Sequence, residues 1–371
     1  MRNRVIYQSE ALFVNQNAGI RSGYNQLERV QSANYSFSIN RQDINQFGQL
    51  GKLDSIQLDA PTVNADCSYY VTDGFTERAL GFGLMTGKGA AASAEVAFVS
   101  GHLADGSGRN LVIVTTPEGT DADLPVRATG TTDSMIGVGN CYLSDYSVEM
   151  AVGSIPTASV SFDALNINSD ARGADPGFDS PAINPVDGTA ISHKLILPNA
   201  TTGQGDVAAL RPGNITVDIS TFDGIPLANI GTDADAGHIQ SASLSIPMSR
   251  STLERLGSRS AYARSVDFPV VASLTVSAIL NEVEDSNLAD IVDDEVEKNV
   301  TLRLKNDNDV TSVLYTLKGV SFDGESISSS IGSNKTVDLT FSTSVGGPAD
   351  TSHGVFMSGI STTPLSYSDG I

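Results

Sequence analysis

Apolar and polar residues alternate with a period of two along much of the chain. The alternation runs through Tyr35-Ser36-Phe37-Ser38-Ile39, Val160-Ser161-Phe162, Leu244-Ser245-Ile246 and Val337-Asp338-Leu339-Thr340-Phe341. Ser and Thr fill most of the polar positions. This pattern predicts strands with one face on a core and one in water. Clusters of Gly, Asp and Asn separate the strands, at 105–108, 118–123, 231–237 and 306–309, and read as turns and loops. The chain is therefore expected to be mainly β.

Helical signals are few. Asn40 is a good N-cap, Asp43 suits a first helical turn, and Ile44 and Phe47 are spaced to share a face. Gly48 follows as a left-handed stop. A two-turn helix over 40–48, packed on a sheet, is expected. Ser286 to Glu297, with Leu288, Ile291, Val292 and Val296 among acids, is a further helical candidate.

The chain also resembles itself. Val30-Gln31-Ser32-Ala33-Asn34-Tyr35-Ser36 aligns with Ile239-Gln240-Ser241-Ala242-Ser243-Leu244-Ser245, an offset of 239 − 30 = 209. The match continues through Arg41 and Arg250, Ile44 and Leu253, Phe47 and Leu256, and Gly48 and Gly257. Ser249 is placed to cap the second expected helix as Asn40 caps the first. Later matches keep their order at smaller offsets: Arg109–Val112 with Lys298–Thr301, and Gly153–Phe162 with Gly332–Phe341. Repetition of this kind indicates two copies of one β unit. The resulting division is an N-terminal arm (1–28), copy one (29–168), a linker (169–210), copy two (211–345) and a C-terminal tail (346–371). Copy one carries extra loop, much of it in the Gly-rich stretch 81–108.

Charge narrows the function. With 22 Lys+Arg against 43 Asp+Glu, the net charge is −21, which opposes binding to phosphate backbones or anionic membranes. Two Cys exclude a disulfide scaffold and a cysteine-only zinc site, and four His without a Trp argue against a His-rich metal centre. The start of the chain has no secretory apolar core. The most apolar stretch, 268–280, falls short of the roughly 20 residues of a membrane span. A soluble protein made in a cytoplasm is expected.

The search for chemistry returns little. Gly87-Lys88-Gly89 lacks the hydroxyl residue of a phosphate loop, and no GxSxG occurs. His102, His193, His238 and His353 are far apart and read as structural or surface residues. Cys67 and Cys141 read as buried free thiols, with a disulfide left open. The acids at 282, 284, 285, 290, 293, 294, 295 and 297 lack a calcium-loop signature and read as a solvated or channel-facing surface. No catalytic, cofactor or metal site is expected, and no enzyme activity.

The segment Gln31 to Ser55, with its strand, cap and Gly stop, resembles the opening of tail tube domains of long-tailed bacteriophages. Asp73-Gly74-Phe75-Thr76-Glu77 is similar to a stretch of the same family. The resemblance covers the two copies and not the arm, linker or tail. It implies a β-sandwich or half-barrel with one short helix per copy. Two-domain members form trimeric rings, where single-domain members form hexamers. Rings stack into a tube around a tape-measure protein, between tail terminator and baseplate proteins, and genomic DNA passes through unbound. The implied location is the virion tail, after assembly in the host cytoplasm. Arg41 and Arg250, opening the two expected helices, are candidates for subunit contacts or for solvated helix positions. The arm and the Gly-rich loop are candidates to fold on a neighbouring ring. The rival readings are a capsid decoration or baseplate hub protein and a glycan-binding fibre module. The last needs clustered aromatics and paired acids.

Overall fold

The computed structural model describes residues 10–86, 96–103, 108–117, 122, 133–171, 177–197, 210, 215–219, 238–257, 261, 263–279, 297–305, 311–330 and 334–359. The protein is mainly β. The first half runs β1 (Glu10–Asn15), β2 (Tyr24–Gln26), β3 (Val30–Ser38), β4 (Arg41–Ile44), β5 (Asp54–Gln57) and β6 (Thr62–Tyr70). A short helix α1 (Phe75–Leu80), β7 (Leu84–Thr86) and a turn of helix α2 (Ser100–Leu103) follow. Then come β8 (Arg109–Thr115), β9 (Ser134–Ala151), β10 (Thr157–Ala164) and β11 (Asn166–Ala171). The small β12 (Phe178–Asp179) and β13 (Lys194–Leu195) lie in the connection. The second half has β14 (Ile215–Asp218), β15 (His238–Pro247), β16 (Arg250–Leu253), β17 (Ala263–Val266) and β18 (Val270–Ile279). It ends with β19 (Lys298–Lys305), β20 (Thr311–Ser328), β21 (Thr336–Val345) and β22 (Gly354–Gly359).

Strands pair in the same order in both halves. In the first, β3 pairs β6, β6 pairs β10, β10 pairs β9, and β9 pairs β8 and β11. In the second, β15 pairs β18, β18 pairs β21, β21 pairs β20, and β20 pairs β19 and β22. β1 extends β8 as β14 extends β19. Even the irregularities correspond: the ladder shifts between Ser161 and Phe162 in β10 and between Phe322 and Gly324 in β20, whose partners are related by the same alignment.

The long strands β9 and β20 each serve two layers. Residues 134–141 of β9 pair with β8 and β11, and residues 142–151 with β10 and β15. β20 divides likewise near Gly319. At the crossover Asn140 has φ 53° and Gly319 φ 62°. Left-handed backbone favours Asn and Gly, so the same corner is turned by the two residue types best able to turn it. A strand that switches sheets folds each half into a two-layer sandwich. One apolar core runs through both halves, from Leu12 and Val63 through Tyr146 and Leu244 to Leu339 and Met357.

Several sequence expectations are corrected. Residues 41–57 form a hairpin, β4 with β5, and not a helix. Residues 250–266 form the equivalent hairpin, β16 with β17. Ile44 and Phe47 meet no core, so a two-turn helix has nothing to pack on, and the facing segment offers a ladder of backbone hydrogen bonds instead. The described helices, α1 and α2, both lie in the first half. The helical candidate at 286–297 lies outside the described residues except for Glu297. Residues 10–15, assigned to an arm, form β1 and are buried after Glu10. Residues 354–359, assigned to a tail, form the buried β22. The Gly-rich stretch also packs inside the chain: Phe82, Ala97, Phe98 and Val99 are buried, β7 runs parallel to β22, and Phe98 N–H donates to the Val355 carbonyl.

Candidate assembly surface

The two halves share one continuous run of strands, β3-β6-β10-β9-β15-β18-β21-β20, joined where β9 meets β15. Period-two alternation sends the apolar residues of this sheet to the core. Ser, Thr and Asn make up most of the opposite face. A row of directly opposed serines crosses it: Ser32, Ser68, Ser159, Ser147, Ser245, Ser273, Ser342 and Ser321. The charged groups that the strands of that face contribute are Asp66, Asp145, Asp163, Glu149 and Asp338, with no Lys or Arg on those strand positions among the described residues. At one end Arg250 and Arg264, from the β16–β17 hairpin, lie over Tyr142, the partner of Asp163.

The register of the row carries geometric information. It starts at Ser32 in β3 and reaches Ser245 in β15. By the 209 offset Ser245 corresponds to Ser36, so the row slips 36 − 32 = 4 residues over the unit β3-β6-β10-β9. A slip of one residue per strand is the shear of strands tilted by about 36° to a barrel axis. The sheet therefore has the stagger of a barrel wall.

The join between the halves is tightly built. In it Leu244 stands opposite Val148 and Ile246 opposite Tyr146, all fully buried. Behind them Tyr146 and Tyr315 hydroxyls are hydrogen-bonded at 2.9 Å. Phe82 and Phe98 stack at 4.4 Å and meet Tyr146 edge-on. Glu77, on α1, is buried beside Tyr69 and its Oε1 makes no hydrogen bond. Burial pushes its carboxyl up to about 7, against the smaller pull of its backbone amide and of Tyr69. His102 is buried against Phe82, and burial, then Arg109 and Arg250, hold it well below the usual imidazole range.

Arg250 belongs to this join. Its Nη2 donates to the His102 carbonyl at 2.5 Å, and its guanidinium lies 5.4 Å from the centre of the Tyr142 ring. Arg41, its counterpart, is exposed, and its side chain makes no hydrogen bond or ion pair among the described residues. Sequence reasoning paired these residues; the structure places one at a contact between halves and the other in solvent.

Among the described residues the outer strands of the run have no second neighbour: β3 pairs with β6 alone and the 321–328 part of β20 with β21 alone. Tyr35 and Phe37 in β3 correspond to the buried Leu244 and Ile246, yet Phe37 is 62% exposed. The hairpins stand clear of the core with Phe47, Leu50 and Leu256 fully exposed. At each tip a glycine, Gly48 or Gly257, takes φ +86° with open space around it.

The remaining sequence candidates are dispersed. Cys67 and Cys141 are buried and free, and burial pushes Cys67 up to about 12. His353 bonds Glu297 at 3.0 Å. His193 lies in the connection near β13, and the side chain of His238 lies outside the described residues. The rest of the acidic run 282–297 is likewise outside them. Among the described residues no group of His, Cys, Asp and Glu is arranged to hold a metal, and no helix is long and apolar enough to cross a membrane. No protein-family model and no curated protein matches the chain.

Proposed function

We propose that the protein is a structural subunit that joins copies of itself edge to edge into closed rings, which stack into the tail tube of a bacteriophage. The observation that carries this reading is the join of β9 with β15. Within one chain, an edge equivalent to β3 already sits on an edge equivalent to β20. Repeating that contact between chains covers both open edges and buries Tyr35 and Phe37. Edge strands left open invite uncontrolled pairing, and ring closure removes them. The contact is head-to-tail, so it propagates until the curvature closes it. Two sandwich units per chain make a trimer pseudo-sixfold.

The polar face then lines the channel. Hydroxyls and carboxylates offer a DNA backbone no cation to neutralise its phosphates, so the polymer slides without being held. The hairpin tips supply exposed apolar residues for contact with the next ring. The tape-measure, terminator and baseplate partners follow from the same assignment, as does a place in the virion.

Negative-stain electron microscopy of the purified, concentrated protein tests the reading. Hollow filaments of stacked rings are expected. Discrete monomers or small oligomers at every concentration tried, with or without a tape-measure fragment, would refute tube formation and favour a decoration or baseplate role.

A further inference from the structure

The intrachain join also supplies a template for the side chains that lock one copy to the next. The alignment relates β15 to β3 by 209 and the later part of β9 to β20 by 179. The second offset keeps the ladder irregularities in place: Ser144, skipped in the β9–β10 register, becomes Asp323, skipped in the β20–β21 register. In the intrachain join Met248 N–H donates to the Ser144 carbonyl at 2.8 Å. Two residues on, Arg250 folds over the Tyr142 ring.

Transposed between chains, Ile39 meets Asp323 and Arg41 occupies the place of Arg250. The surroundings differ in a specific way. Tyr142 becomes Ser321, which has no ring to receive a guanidinium. Arg264, the second cation over Tyr142 at 5.6 Å, becomes Ser55. What the transposed site has in exchange is a carboxylate. Asp323 is exposed, and its Oδ1 accepts from Ser342 at 3.0 Å. A lone cation facing a carboxylate replaces two cations on a ring.

We infer that Arg41 of one copy pairs with Asp323 of the next across the β3–β20 junction, a contact that rests on the edge-to-edge assembly proposed above. The pair does two things. It brings an exposed charge on each edge into attraction, and it rewards one register, since a slip by one residue flips every side chain to the other face. The wrong edges, β3 against β3 or β20 against β20, set like charges together.

The test compares assembly of full-length wild type, Arg41→Glu, Asp323→Arg and the double variant by light scattering across concentration. Circular dichroism and thermal unfolding confirm that each folds, as exposed positions should allow. Each single variant is expected to raise the concentration at half assembly by about tenfold, and the double variant to restore it. Singles that assemble like wild type, or a double variant as weak as either single, overturn the pair while leaving ring assembly standing. A wild type that never associates overturns the assembly reading itself, and the pair with it.

Discussion

Tyr146 and Tyr315 share a hydrogen bond across 169 residues of sequence, hydroxyl to hydroxyl at 2.9 Å, in the buried seam between the two halves. Removing one hydroxyl strands the other away from water. Tyr146→Phe and Tyr315→Phe should each destabilise the chain by about 1–3 kcal/mol, whereas the double replacement should cost little more than either alone. A double-mutant cycle by urea unfolding measures the coupling. Strictly additive costs would mean that the two hydroxyls do not depend on each other.

Glu77 makes the same seam sensitive to pH. Its carboxyl is raised from 4.5 to about 7 by burial, so between those values the folded chain holds a proton that the unfolded chain releases. Stability from this group is thus fully present below pH 4.5 and is lost as pH rises through 7. The loss approaches about 3 kcal/mol over that window. Glu77→Gln should remove that dependence and unfold at higher urea than wild type at pH 8. Equal pH slopes for the two proteins, followed by urea midpoints, would contradict the assignment.

The hairpins present a different kind of apolar surface, one that the chain itself leaves uncovered. Phe47→Ser with Leu50→Ser, or Leu256→Ser alone, removes nothing from the core and should change stability by no more than about 0.5 kcal/mol. In the tube reading the same changes leave rings intact and shorten or abolish filaments in micrographs. Filaments of normal length would assign stacking to another surface.

How much of this was readable beforehand depends on distance along the chain. Strand alternation is local, and Leu244-Ser245-Ile246 announces itself. The likeness between the halves is legible because Arg41 and Gly48 recur as Arg250 and Gly257 at one offset, with Ile44 and Phe47 matched by Leu253 and Leu256. Their conformation is not legible locally, because Asn40 and Gly48 serve a hairpin as readily as a helix; the deciding fact is that Ile44 and Phe47 have no core beneath them, which depends on tertiary packing. β1 escaped notice for the opposite reason. Ala11-Leu12-Phe13-Val14 is buried on both faces, with Leu12 and Val14 in the main core and Ala11 and Phe13 in a second one, so it does not alternate. The seam residues Glu77, Tyr146 and Tyr315 carry no local signal at all, because only the pairing of β9 with β15 brings their elements together.

The polar face gives a prediction about DNA. Opposed Ser, Thr and Asn with five acids and no Lys or Arg on the strand positions themselves should leave the wild type without measurable affinity for duplex DNA at low salt. Asp66→Lys with Asp338→Lys replaces two of those acids by cations on the same face. Filter binding at low salt should then detect DNA retention that disappears as salt rises. Binding by the unmodified protein would place its DNA contact elsewhere and remove the argument for a low-friction channel.

In the assembly proposed above, the register at the junction between copies can be tested directly. Ser245 stands opposite Ser147 within the chain, and transposition sets Ser36 of one copy opposite Ser326 of the next. Opposed residues in an antiparallel pair bring their Cβ atoms to about 4.5–5.5 Å, close enough for a disulfide after small adjustment. Ser36→Cys with Ser326→Cys should therefore give, on mild oxidation, a ladder of covalent multimers that ends at the ring size on non-reducing gels. Cys67 and Cys141 are buried and should not contribute. Ser36→Cys with Ile327→Cys places the second thiol on the opposite face and should not cross-link. Equal ladders from both pairs would mean that contacts between copies are not held in one register, and efficient cross-linking from the second pair alone would move the register by one residue and turn Tyr35 and Phe37 back into solvent.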